Sequence, residues 1–96
     1  MPQPSESAER QDRKVAVVID DRPDVRYVVG KRLRSIGFEV HEAADGRGGL
    51  ALARRHRPEV ILVDIVLPDI DGYQVAREVR RELGRSVRMA AMTGFG

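Results

Sequence analysis

Apolar runs and helical stripes alternate along the chain, and each is closed by an acid, a glycine or a proline. Val15 to Ile19 is a continuous β-branched run, which predicts a strand buried on both faces. It ends at Asp20 and Asp21. Pro23 then suits the first position of a helix, and Val25, Val28, Val29, Leu33 and Ile36 recur at helical spacing until Gly37 stops them. Phe38 to Ala43 alternates apolar with polar, as expected of an edge strand with one wetter face. Asp45-Gly46 marks a turn, and Leu50 to Arg57 predicts a short helix ended by Pro58. Val60 to Val63 is a second fully buried strand, again closed by an acid, Asp64. After a loop rich in Pro, Asp and Gly, Val75, Val79 and Leu83 mark a third helix that Gly84 terminates. Val87 to Met92 predicts a fourth strand.

The predicted order is βαβαβαβ. Short connections between buried strands imply a parallel α/β sheet with right-handed crossovers. In such sheets function collects beyond the carboxyl ends of the strands, where this sequence puts its acids. Residues 1–13 carry scarcely an apolar side chain and are expected to form a disordered arm. Residues 14–96 then form one small domain whose core should be marginal.

Composition changes this picture mainly by exclusion. Seventeen basic and fifteen acidic residues give a net charge of +2 with no uninterrupted basic run, and two Tyr and two Phe offer little for stacking bases. Nucleic acid is therefore not the expected partner. The chain has no cysteine, hence no disulfide framework or thiolate metal site. No stretch approaches the roughly 20 apolar residues of a membrane span. The start of the chain holds acids and no apolar core of a secretory signal, so a cytoplasmic protein is expected.

If the first and third strands are neighbours, Asp20, Asp21 and Asp64 converge at one end of the sheet. Like charges a few ångströms apart repel by about 1–4 kcal/mol per pair, so such a cluster calls for a cation or raised pKa values. Oxygen-only donors favour a hard divalent ion, and Mg²⁺ fits best because it keeps waters and leaves room for phosphate oxygens. The plainer alternative is that each Asp caps the following helix. Which carboxylate reacts is not decided at this level.

These residues resemble the response-regulator receiver domain of two-component systems, of the chemotaxis-regulator type. Val17-Val-Ile-Asp20-Asp21 is similar to its first strand and acidic pair. Asp64 to Gly72, with Pro68, is similar to its phosphorylation loop. Ala91-Met-Thr93-Gly94 is similar to the end of its fourth strand. The resemblance implies a flavodoxin-like doubly wound parallel sheet and a phospho-accepting role in a phosphorelay. It also implies that Asp64 takes a phosphoryl group from the phosphohistidine of a sensor histidine kinase or phosphotransfer protein. By the same resemblance, Asp21, Asp64 and the backbone carbonyl of Val66 would hold Mg²⁺, with Asp20 acting largely through water. Thr93 would bond the new phosphoryl oxygen and Gly94 would leave space for it. Pro68 and Gly72 would shape the loop, a role compatible with ordinary turn chemistry.

Receivers have five strands and five helices, so the resemblance also implies that the last helix, strand and helix have no counterpart here, nor do the lysine and the switch aromatic carried there. Slower phosphorylation and an open fourth strand are then expected, with Val87, Ala90 and Met92 on a sticky edge, so that the chain is unstable, self-associates or is completed by another chain. One alternative is a receiver-like interaction module that no longer accepts phosphate. Another is nucleotide binding, since Gly46-Arg-Gly48-Gly-Leu-Ala51 matches a dinucleotide fingerprint, though it leaves Asp20 and Asp21 unexplained. His41 and His56 lie away from the acid-bearing strand ends and are expected to be solvated surface residues.

Overall fold

The structure, a computed structural model, describes residues 14–92. The elements follow the expected order: β1 (Lys14–Ile19), α1 (Pro23–Ser35), β2 (Phe38–Ala43), α2 (Gly46–His56), β3 (Val60–Asp64), α3 (Gly72–Leu83) and β4 (Arg88–Met92). The four strands form one parallel sheet in the order β2-β1-β3-β4. The arm expected at 1–13, and Thr93 and Gly94, lie outside the described residues.

The two inner strands are the two uninterrupted apolar runs, and the alternating strand β2 takes an edge, as its polar half requires. Register puts Val17 beside both Ile61 and His41, and Ile61 beside Met89, so these four share one face. On that face α2 and α3 close the main core of Val17, Ile19, Leu50, Ala53, Ile61, Val63, Val75, Val79 and Val87. Helix α1 lies against the other face, over Ala16, Val18 and Val40.

Three expectations need correcting. Helix α2 begins at Gly46 rather than Leu50, because Asp45 caps it by accepting from the Gly48 N–H. Val28 and Ile36 are exposed, since the buried stripe of α1 runs through Gly30 and half-buried Val25, Val29 and Leu33, while Ile36 is the residue after the last helical turn. Val87 belongs to the core at 3% exposure and precedes β4, so of the three residues placed on a sticky edge only Ala90 is exposed, with Met92 half-buried. Among the described residues no helix is long and apolar enough to cross a membrane.

Candidate functional site

Because β1 and β3 are hydrogen-bonded neighbours, Asp20, just past β1, and Asp64, the last residue of β3, come out at the same end of the sheet. Each of Asp20, Asp21 and Asp64 offers a carboxylate oxygen, and these oxygens lie within 4.8 Å of one another. Asp20 is fully buried and Asp64 is 7% exposed, whereas Asp21 is open to solvent. Two buried carboxylates and one exposed one together make a set of oxygen donors of the kind a hard divalent cation uses.

Helix capping does not account for these acids. The cap position of α1 is Arg22, which makes no side-chain cap bond, and the cap of α3 is Asp71, which accepts from the Gln74 N–H. Asp64 instead accepts from the Val66 N–H at 3.2 Å, within its own loop. Val66 is 75% exposed beside it.

A cation is already present in the cluster, on a residue that the motifs passed over. The Arg22 guanidinium donates from Nε and Nη2 to the two carboxylate oxygens of Asp20 at 3.0 and 2.9 Å, and Nη2 lies 3.8 Å from Asp64. The Arg22 backbone N–H also donates to Asp20, and Arg26 Nη1 reaches the Asp20 carbonyl at 2.8 Å. Burial alone would push the Asp20 carboxyl up, but the Arg22 hydrogen bonds and charge outweigh it and hold the pKa below its usual value. Asp20 is therefore ionised and paired. The donor set fits Mg²⁺, provided the partly exposed Arg22 side chain yields its place on Asp20.

The loop from β3 to α3 is pinned by backbone proximity. Gly72 donates its N–H to the Ile65 carbonyl at 2.8 Å, and a Cβ on Gly72 would stand 2.5 Å from the Asp64 carbonyl oxygen. Only glycine lets the first turn of α3 approach the end of β3 so closely. In the same loop Asp69 accepts from the N–H groups of Gly46 and Arg47 at 2.8 and 2.9 Å. Burial raises the Asp69 pKa, but the backbone N–H groups of Arg47 and Gly46 prevail and bring it to about 2.

These bonds dispose of the dinucleotide fingerprint. A phosphate site at the start of α2 needs free N–H groups and open space. Here Asp69 holds the amides of Gly46 and Arg47, and Asp45 holds that of Gly48. The glycines face protein instead of ligand, since a Cβ on Gly46 would meet Ile70 and one on Gly49 would meet Ile19. The preceding strand is also an edge strand.

His41 and His56 are not separate solvated residues. Both are half-buried and stack, with ring centroids 3.7 Å apart and planes within 12° of parallel. His41 Nε2 lies 2.6 Å from a Glu39 carboxylate oxygen. Burial, and then the neighbouring charge of His41, push the His56 pKa down.

Comparison with known proteins agrees with this geometry. The family model described as "Response regulator receiver domain" matches residues 16–96. A probable transcriptional regulator ycf27 of Galdieria sulphuraria is 35% identical over 85 residues, covering 88% of this chain and 33% of that protein. Protein PilH of Pseudomonas aeruginosa is 36% identical over 66 residues, covering 69% of this chain and 54% of that protein. The chain thus spans about a third of the length of the ycf27 relatives it matches. Among solved structures, a CheY-like receiver domain protein from Methanospirillum hungatei superposes with a TM-score of 0.81 at 26% identity, over 88% of this chain and 67% of that one. TrrA from Thermotoga maritima, solved in complex with Mg(2+)-BeF, gives 0.79 at 26% identity, over 86% and 71%.

Proposed function

The chain belongs to the response regulator receiver domain family, and from that premise we propose that Asp64 is its phospho-acceptor. The observation that carries this reading is the convergence of Asp20, Asp21 and Asp64 beyond the ends of adjacent strands, in a protein where none of the three is used as a helix cap. The donor is the phosphohistidine of a sensor histidine kinase or phosphotransfer protein. An Asp64 carboxylate oxygen attacks phosphorus in line as the phosphorus–nitrogen bond breaks. The electron pair leaves with the imidazole nitrogen, and an acyl phosphate forms on Asp64.

Asp21 and Asp64, with the backbone carbonyl of Val66, would hold Mg²⁺ directly, and Asp20 would hold it through water. When bound, the ion neutralises charge on the phosphoryl oxygens. The chain's own part is to fix the acceptor. Asp64 is buried at the sheet end and oriented by the Val66 N–H, and Gly72 clamps its carbonyl from behind. Arg22 supplies positive charge at the same place. Thr93 would bond the transferred phosphoryl group and Gly94 would leave room for it. A cytoplasmic location suits a partner of this kind.

Intact mass after incubation with Mg²⁺ and acetyl phosphate or phosphoramidate tests the reading, with Asp64→Asn as control. A gain of one phosphoryl group in the wild type and none in the variant is expected. No gain from protein that circular dichroism shows to be folded would leave an interaction module of receiver shape.

A further inference from the structure

At the opposite end of the sheet from the three aspartates, a second group of potential ligands comes together. Glu39 and His41 sit two residues apart on β2, so they project to the same face, the one covered by α2. Helix α2 runs back against the strands and delivers its last residue, His56, onto the His41 ring. Each of Glu39, His41 and His56 offers one donor atom, and the three atoms lie within 4.8 Å of one another.

We propose that Glu39, His41 and His56 form a binding site for a late first-row divalent metal ion, with Zn²⁺ as the ion it takes. Two imidazole nitrogens and one carboxylate oxygen, without thiolate, are the donors of open tetrahedral zinc sites and are poor ligands for Mg²⁺. Bonds of roughly 2.0–2.2 Å to each donor put tetrahedral ligands about 3.3 Å apart. The Glu39–His41 pair is closer than that, at 2.6 Å, and all three donor atoms lie within 4.8 Å of one another. To share one ion the two imidazoles must also leave their parallel stack, so that their in-plane lone pairs converge, a change that side-chain rotation supplies. Its backbone positions are fixed beforehand, because two ligands stand on a strand and the third ends a helix. The third ligand also stands where the carbonyls at the helix end present partial negative charge. Arg55 beside His56 opposes the cation, but it is exposed. Three protein ligands leave one position for water or for a group from outside. The ion would tie edge strand β2 to the end of α2, fifteen residues further along the chain.

The test uses the whole untagged chain in excess Mg²⁺, which occupies the aspartate cluster. Zn²⁺ is titrated while the imidazole resonances are followed by NMR, and Co²⁺ replaces Zn²⁺ for visible absorption. The expected result is that the His41 and His56 resonances shift together and saturate at one equivalent. The same result is expected in Asp64→Asn, and His56→Gln should bind at least roughly tenfold more weakly. Imidazole resonances that stay in place through one equivalent of Zn²⁺ would overturn the proposal, as would undiminished affinity in folded His56→Gln. If His56→Gln does not fold, the wild-type resonances decide alone.

Discussion

On the α2–α3 face of the sheet, Ile19, Ile61, Val63, Val75 and Val79 interlock with little or no exposure. On the α1 face the buried strand residues are smaller, chiefly Ala16, Val18 and Val40, and Tyr27, Val28 and Ile36 of the covering segment are more than half exposed. Helix α1 adds ion pairs to its half-buried Val25, Val29 and Leu33. Glu42 on β2 receives Arg26 and Arg34 from α1, and Arg26 also reaches the Asp20 carbonyl. The same face carries Asp20 and Asp64 at its end. One face supplies stability through volume, and the other carries the paired carboxylates of the candidate site. Buried charges retained in this way cost stability compared with apolar packing, which is why they gather at a site.

Removing volume from the packed face should have the largest effect. Ile61→Ala is expected to cost about 2–5 kcal/mol in urea unfolding. A loss below about 1 kcal/mol would mean that the two faces are equally loose. At the charged end, Arg22→Ala should raise Mg²⁺ affinity severalfold, because the guanidinium and the ion compete for Asp20. Calorimetric titration measures this, and unchanged affinity would show that Arg22 leaves Asp20 without penalty.

A polar tie also exists on the packed side, where Asp69 holds the start of α2. Its pKa is depressed from 3.8 to about 2, so its contribution to stability is complete above pH 3.8 and is lost as the pH falls through about 2. The Gly46 and Arg47 amide resonances should follow that titration, and a midpoint near 3.8 would mean that the tie is loose in solution. The smallest effect is expected from Val28→Ala on the exposed side of α1, within about 0.5 kcal/mol in the same urea assay. A much larger loss would show that Val28 is covered in solution.

The sheet was legible in the sequence because Val15 to Ile19 and Val60 to Val63 are β-branched runs that suit little else. The meeting of Asp20, Asp21 and Asp64 followed once those strands were made neighbours. The start of α2 was hidden because Gly46, Gly48 and Gly49 are poor helix formers. Gly46 and Gly49 answer to tight contacts with Ile70 and Ile19, distant in sequence, and Gly48 to its own cap, Asp45. Arg22 gave no signal because an arginine after an acidic pair has no preferred direction in the sequence alone. That a cation stands two residues from a carboxylate that must be buried is visible only in hindsight. The stacking of His41 on His56 depends on a strand and a helix end meeting, which no local pattern encodes.

The missing side chain at Gly72 has a mechanical meaning. With only hydrogen facing the Asp64 carbonyl, no compressible layer separates the end of β3 from the first turn of α3. The carbonyl of Asp64 and the first turn of the twelve-residue helix α3 are thus in direct backbone contact, and a larger side chain at position 72 is expected to push the two apart.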